Sequence, residues 1–159
     1  MLQTKRMNPS ELHLAINHLP LFSVLFGTLI LLSGLILKQE VLRSLAYLLL
    51  ILGALGALAS AYTGEEAEEL VEDYFPEISH EIIHEHEESA EMARNISIAL
   101  GILSAIALFL NRTKRPIEKI LSWILIVGGI VGSITLMRAA HSGGEIMHIE
   151  IRDNFEYSQ

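Results

Sequence analysis

Histidine and glutamate carry most of the chemistry open to this sequence. The seven histidines lie before the first of four apolar runs, between the second and third runs, or after the last run: they are His13, His18, His80, His84, His86, His141 and His148. Most acidic residues lie in the same places, above all in the stretch 64–88. Imidazole and carboxylate together bind iron, zinc, manganese and copper, and histidine also ligates haem. If the runs cross a bilayer, chain connectivity places every histidine on one side of it.

The apolar runs predict membrane-spanning helices. With 51% hydrophobic residues and a mean hydropathy of +0.42, the chain is too apolar for an ordinary soluble domain of this size. We place the helices at residues 15–37, 44–63, 93–110 and 119–140. At about 1.5 Å per residue, such lengths suit a hydrocarbon core about 30 Å thick. The expected fold is all-α: one integral-membrane domain over residues 1–159, an up-and-down four-helix transmembrane bundle with a helical acidic and histidine-rich extension at 64–92.

Local signals predict where these helices begin and end. Asn8-Pro9-Ser10-Glu11 is typical of a helix start, because Asn8 can cap it and proline suits the first turn. Pro20 predicts either a kink or a new start. Tyr74-Phe75-Pro76 predicts a break, with a helix from about Ser79 that continues into the third run. Gly143-Gly144 leaves open whether the fourth helix continues beyond its apolar run.

Composition excludes several classes of site and partner. The chain has no cysteine, which excludes disulfides, thiolate metal sites and the covalent attachment of c-type haem. A net charge of −8 argues against nucleic acid as a partner. The expected partner is the lipid bilayer, with other membrane subunits as a further option. Lys5-Arg6 before an apolar run is a feature of signal peptides, but this run is too long for one, so we expect a retained helix.

The distribution of basic residues predicts the orientation. Six lie in or beside the two short loops: Lys38, Arg43, Arg112, Lys114, Arg115 and Lys119. Five are spread over the termini, the long middle loop and the end of the fourth helix: Lys5, Arg6, Arg94, Arg138 and Arg152. By the positive-inside rule the short loops are cytoplasmic. The histidines and both termini are then extracytoplasmic, in a multi-pass protein of the cell inner membrane.

Helical periodicity selects the histidine of the third helix that points into the bundle. At about 100° per residue, His86 shares a small and mostly apolar face with Ala90. His80 and His84 fall on the opposite, polar face, where solvated side chains are expected. Glu87 lies at the border between the two faces and can reach inward.

The same test on the other three helices completes the candidate site. On the first helix it selects His18 and turns His13 elsewhere. On the extension of the second helix it places Glu65, Glu68 and Glu69 on one face. After the fourth helix it places His141, Glu145 and His148, at positions i, i+4 and i+7, on one face if the helix continues. The candidate metal ligands are therefore His18, Glu65, Glu68 or Glu69, His86, Glu87, His141, Glu145 and His148.

A metal centre at this extracytoplasmic rim is the first interpretation, in a redox or metal-handling role. Iron, zinc, manganese and copper all suit these ligand types. The Glu-x-x-His pattern of di-iron carboxylate bundles occurs at Glu81 to His84 and at Glu145 to His148. Glu81 and His84 fall on the polar face, so the convergent set is stronger evidence than the motif.

Two other classes remain open. A b-type haem held by a pair from His18, His86 and His141 would make the protein an electron carrier. A structural or accessory subunit of a membrane complex would need no cofactor, and its histidines would form a polar cap. A proton or ion pathway is disfavoured because the runs carry no ionisable residue through their middles. The sequence assigns no catalytic residue, so enzymatic activity stays undecided.

Four segments of the chain resemble a family. They are Ile16-Asn17-His18-Leu19-Pro20, Thr63-Gly64-Glu65-Glu66-Ala67-Glu68-Glu69, His84-Glu85-His86-Glu87-Glu88 and the stretch from His141 to His148. They are similar to the Asn-His-x-Pro, Gly-Glu-x-Ala-Glu-Glu, His-Glu and Gly-Gly-x-x-x-His segments of small bacterial four-helix inner-membrane proteins with a domain of unknown function. The resemblance covers nearly the whole chain and implies a bacterial inner membrane, but no activity. It singles out His18, Glu65, Glu68, His86, Glu87, His141 and His148.

Overall fold

The protein is almost entirely helical. The structure, a computed structural model, describes residues 8–152, so Lys5 and Arg6 lie outside the described residues. Its elements are α1 (Pro9–Ile16), α2 (His18–Ile36), α3 (Glu40–Tyr74), α4 (His80–Arg112), α5 (Ile117–Met147) and a 3-10 turn (Ile149–Ile151). No strand occurs in this part of the chain. The predicted all-α fold is confirmed.

Four helical stretches are long and apolar enough to cross a membrane. They are Pro9–Ile36, which combines α1 and α2, and then α3, α4 and α5. Each stretch packs against its neighbours in the chain, and α2 also packs against α5, which closes the ring. The outer surface is rich in exposed large apolar side chains, as expected for a protein surrounded by lipid. The prediction of an up-and-down transmembrane bundle of four helices is confirmed.

The helices extend well beyond the apolar runs. α3 has 35 residues, which corresponds to about 52 Å of helix, whereas the hydrocarbon core is about 30 Å thick. The excess lies at the acidic end, where α3 continues past Gly64 to Tyr74 and α4 begins at His80. Glutamate and alanine are strong helix formers, so the helices do not stop where the apolar residues do. The extension at 64–92 is therefore a helical hairpin that continues both spans.

The predicted helix starts are present. The Asn8 side chain accepts a hydrogen bond from the Glu11 N–H at 2.7 Å, and the Glu11 carboxylate accepts one from the Asn8 N–H at 3.1 Å. The break between α1 and α2 falls at Asn17, so Pro20 lies in the first turn of a new helix, where its missing N–H costs no helical hydrogen bond. α4 begins at His80, as the predicted start near Ser79 requires, and the Ser79 side chain caps it.

The core combines large side chains with close backbone contacts. Its fully buried large residues are Val24, Leu31, Tyr47, Leu50 and Leu125. Small residues bring the helices together between them. A Cβ atom added at Gly101 would collide with the Ala54 side chain of α3, and one added at Gly129 would collide with Thr28 of α2. Such contacts let helices pack closely in lipid, where water exclusion contributes little to their association.

The two halves of the bundle repeat one another. The following pairs are each 76 residues apart: Val24 and Leu100, Thr28 and Ser104, Leu31 and Ala107, Leu50 and Ile126, and Gly53 and Gly129, all of them buried, together with the turn residues Lys38 and Lys114. Both lysines have a φ of 55°. Equivalent hydrogen bonds close the two turns, from the Gln39 N–H to the Gly34 carbonyl at 2.9 Å and from the Arg115 N–H to the Leu110 carbonyl at 3.0 Å. The hairpin before Tyr74 is thus equivalent to the hairpin after Ser79.

Gly129→Ala should destabilise the bundle, whereas Gly128→Ala should not. The methyl group at position 129 meets Thr28, which is buried and held by a 2.7 Å hydrogen bond to the Val24 carbonyl. The methyl group at position 128 meets only the end of the Leu100 side chain, at 3.0 Å. In denaturant titrations of detergent-solubilised protein, we expect Gly129→Ala to lose about 1–3 kcal/mol of unfolding free energy.

Gly128→Ala is the matched control for this measurement. It should be unchanged or slightly more stable, because alanine is the better helix former. Equal losses in the two variants would contradict the packing of α5 against α2 described above.

Candidate functional site

His13 of α1 lies against the backbone of α3. Its Nδ1 is 3.1 Å from the Ser60 carbonyl oxygen and 3.3 Å from the Thr63 hydroxyl. The ring also lies over Gly64, where an added Cβ atom would stand 3.3 Å from the imidazole Cε1. This imidazole is therefore held by the Thr63 hydroxyl, by the Ser60 carbonyl three residues before it and by Gly64 after it.

His86 of α4 is held in the same way by α5. Its Nδ1 is 3.2 Å from the Ser142 hydroxyl, which itself donates to the Ala139 carbonyl at 3.2 Å. A Cβ atom added at Gly143 would stand only 2.8 Å from the His86 Cε1. The arrangement requires that α5 continue through Gly143-Gly144, and the helix does continue to Met147. The fourth membrane helix therefore continues beyond its apolar run, which the sequence had left open.

These two arrangements, which we call the imidazole cradles, are equivalent. Each consists of a hydroxyl–glycine pair, Thr63-Gly64 on α3 or Ser142-Gly143 on α5, and receives a histidine from the preceding helical stretch of the same hairpin. A carbonyl oxygen can only accept, so the Nδ1 of His13 carries the hydrogen in its bond to Ser60. In the neutral ring Nε2 then keeps its lone pair. Histidines that ligate metals characteristically donate the other ring N–H to such an acceptor.

Two carboxyl groups accompany the imidazoles. The half-buried Glu68 and the exposed Glu87 lie in the extension beyond the uncharged runs, close enough for their carboxyl groups to interact electrostatically. Burial raises the pKa of Glu68, and the negative charge of Glu87 raises it further. Burial lowers the pKa of His86, as does the positive charge that His13 can carry, while Glu87 opposes these effects. These electrostatic interactions connect His13 with His86, His86 with Glu87, and Glu87 with Glu68 at the acidic end of the bundle.

His13, rather than His18, is the histidine of the first stretch that meets α3. The expectation that His13 turns elsewhere is wrong. His18 is exposed and stacks on Phe22, with ring centroids 6.3 Å apart and an angle of 19° between the rings. The prediction compared residues 11–18 by angle on one regular helix, whereas α1 ends at Ile16 and α2 begins at His18, and His13 on α1 is the one that lies against Ser60 and Thr63 of α3.

The other predicted ligands lie outside the cradles. His141 is 62% exposed, with its Nε2 3.9 Å from the Glu145 carboxylate. His148 follows the end of α5, and its Nδ1 is 2.9 Å from the Glu150 carboxylate. Glu65 and Glu69 are exposed on α3. Of the sequence-predicted ligands, His86 lies in a cradle, and Glu87 interacts electrostatically both with His86 and with Glu68.

The part of the chain covering residues 8–152 contains no group of three or more His, Asp or Glu side chains placed to hold a metal ion. The cradles supply two histidines, and the carboxyl pair lies close to them. The metal and the haem expected from the sequence therefore stay predictions.

A second polar cluster lies at the opposite end of the bundle, beside the short turns. The Arg43 Nε donates to the Glu118 carboxylate at 2.8 Å, and an Arg43 terminal nitrogen donates to the Asn111 side-chain oxygen at 3.1 Å. The Tyr47 hydroxyl donates to the same Glu118 oxygen and lies 2.7 Å from the Ser122 hydroxyl. These side chains are all buried, and they join α3, α4 and α5.

Sequence reasoning missed this cluster. It counted Arg43 only among the basic residues beside the short loops. The available signal was spacing: Arg43 and Tyr47 are four residues apart on α3, as are Glu118 and Ser122 on α5. Residues four apart share a helix face. Two such polar pairs at the same end of facing helices could have been matched.

Glu118→Gln should destabilise the protein strongly, and Glu40→Gln should not. A glutamine at position 118 would keep the shape of the side chain but leave the buried Arg43 without its counter-charge, for which we expect a loss of about 3 kcal/mol or more in unfolding free energy. Glu40 is an exposed acid at the same end of the bundle and serves as the control. Denaturant titration in detergent measures both variants, and a Glu118→Gln protein as stable as the control would contradict the role of this ion pair.

Comparison with known proteins adds no relative to this picture. No family model matches the chain, and neither the curated proteins nor the solved structures yield a match.

Proposed function

We propose that this chain is an integral membrane protein that binds a divalent transition-metal ion at the acidic end of its bundle. His13 and His86 supply two nitrogen ligands, and Glu68 and Glu87 supply carboxylate oxygens. The observation that carries the proposal is the pair of equivalent imidazole cradles, each of which fixes Nδ1 and leaves the other ring nitrogen available. Outer contacts of this kind orient histidine ligands in metal sites.

The carboxyl pair adds a reason for a cation. Within residues 8–152 no lysine or arginine forms an ion pair with Glu68 or Glu87; the partner of Glu87 is the exposed His84, whose Nδ1 lies 3.4 Å from the Glu87 carboxylate. Two carboxylates in contact repel each other unless one is protonated or a cation lies between them. A divalent ion would replace the shared proton and remove that repulsion. Rotation of the two glutamate side chains towards the imidazoles would complete the ligand set.

The ligand types narrow the class of metal. Two imidazoles with two carboxylates suit zinc, iron(II), manganese and similar borderline ions, and the lack of cysteine removes the soft thiolate ligand that favours copper(I). We assign the site to metal handling in a bacterial inner membrane, and the distribution of lysine and arginine favours its extracytoplasmic face. The lipid bilayer is the surrounding partner.

The haem alternative lacks a supporting contact. Its proposed partners for His86 were His18 and His141, and these are exposed and contact Phe22 and Glu145 respectively. An absorption spectrum tests this alternative directly, because bound haem gives an intense Soret band.

The test of the proposal is metal binding by purified protein with single histidines removed. Elemental analysis and Zn²⁺ titration in detergent should give one ion per chain. His13→Ala and His86→Ala should each weaken Zn²⁺ binding by more than the roughly 10- to 100-fold that outer-shell changes cost. His18→Ala and His141→Ala remove the same chemical group from exposed positions and should bind as the unchanged protein does.

Two results would contradict the proposal. One is an unchanged protein that binds no stoichiometric metal when it is purified without chelator. The other is equal weakening in all four variants, which would indicate non-specific binding by surface histidines.

A further inference from the structure

We infer that Thr63 and Ser142, each with the glycine that follows it, are positioning residues that hold the hydrogen of His13 and His86 on Nδ1. The consequence for metal binding rests on the proposed function, whereas the assignment of the hydrogen stands on its own. Both hydroxyl–glycine pairs then have the same role: each keeps the Nε2 lone pair of its histidine available to a ligand.

The hydroxyl groups are placed to accept from the rings, because backbone carbonyls can take their own hydrogens. The Thr63 hydroxyl has two such carbonyls within reach, Ala59 at 3.0 Å and Ser60 at 3.1 Å. The Ser142 hydroxyl has the Ala139 carbonyl at 3.2 Å. At His13 the ring nitrogen must be the donor, because the Ser60 carbonyl can only accept. The Ala139 carbonyl, which also interacts with the His86 ring, can only accept as well, so we assign His86 the same donor role.

The two cradles differ in how far they depend on the hydroxyl. His13 has the Ser60 carbonyl as a second acceptor at 3.1 Å, closer than Thr63 at 3.3 Å. For His86 the Ser142 hydroxyl at 3.2 Å is the closest acceptor, supported by the Ala139 carbonyl. Loss of the hydroxyl should therefore affect His86 more than His13. Neutral imidazole in water favours the hydrogen on Nε2, which is the tautomer that blocks ligation by that atom.

The two glycines should differ in how well they tolerate an added methyl group, and the glycine beside His86 should tolerate it less. An added methyl group would stand 2.8 Å from the His86 ring at position 143 but 3.3 Å from the His13 ring at position 64. The first distance forces the ring to move, whereas the second requires a shift of only a few tenths of an ångström. Gly143→Ala should therefore displace its imidazole, and Gly64→Ala should be tolerated better.

The experiment is nitrogen NMR on metal-free protein in detergent, with ¹⁵N-labelled histidine, at a pH where the rings are neutral. The unchanged protein should show Nδ1 protonated and Nε2 unprotonated for His13 and His86. Ser142→Ala should shift His86 towards the opposite tautomer and leave His13 unchanged. Thr63→Ala should produce a smaller shift at His13, and Ser142→Thr, which keeps the hydroxyl, should restore the pattern at His86.

Zn²⁺ titration of the same variants separates this inference from the proposed function. If the site binds metal, Ser142→Ala should weaken affinity by about 10- to 100-fold, as loss of an outer-shell partner does, and Ser142→Thr should recover it. If the tautomers are as stated but no variant binds metal, the proposed function fails and the positioning of the rings stands. A hydrogen on Nε2 of His86 in the unchanged protein overturns the inference, as does a His86 tautomer that does not respond to Ser142→Ala.

Discussion

Close approach of helix backbones at small residues is the constraint on which this structure depends. In lipid, apolar side chains gain little by leaving the bilayer for a helix interface, so packing itself must hold the bundle together. Gly101 meets Ala54, and Gly129 meets Thr28, at contacts where one added carbon would collide. The same device recurs at the acidic end, where the backbone at Gly64 and Gly143 admits an imidazole instead of a helix. The fold and the candidate site thus share one structural principle.

Charged side chains are arranged differently at the two ends of the bundle. At the short-turn end, Arg43 and Glu118 neutralise each other inside the protein, and Tyr47 and Asn111 complete their hydrogen bonds. A buried pair with every partner in place fixes helix positions and leaves little to offer a ligand. At the acidic end the ion pairs are exposed, and within the described residues the one cationic partner of Glu87 is the exposed His84, at 3.4 Å. This end carries an excess of carboxyl groups and is the one suited to bind a cation.

Each of the two hairpins supplies one imidazole, held by the hydroxyl–glycine pair of its second helix. His13 lies against Thr63-Gly64 and His86 against Ser142-Gly143. The histidines are 73 residues apart and the glycines 79, so the cradles share their contacts but not the 76-residue spacing of the core. The carboxyl groups come from the two inner helices, Glu68 from α3 and Glu87 from α4.

Local features of the sequence were sufficient to predict the fold. The cap at Asn8, the break after Tyr74 and the restart at Ser79 depend on side chains that act on their own backbone, so they are readable from adjacent residues. The inward position of His86 was also predicted, because α4 is one uninterrupted helix on which angles accumulate regularly. The errors have a common cause. The choice between His13 and His18 depended on the turn at Asn17 between α1 and α2. The burial of Arg43 and Glu118 depended on two residues 75 positions apart meeting across the bundle. The role of Thr63 and Ser142 depended on which helix lies opposite each hydroxyl. None of these relations is local, so the sequence could place the residues on helices but could not pair them.

The most direct test of the central claim is X-ray absorption spectroscopy at the zinc edge on protein loaded with one equivalent of Zn²⁺. The account predicts a first shell of nitrogen and oxygen with two imidazole rings per zinc, one from each cradle. A first shell with no imidazole, or with one, would contradict the claim that the two cradled histidines hold a single metal ion.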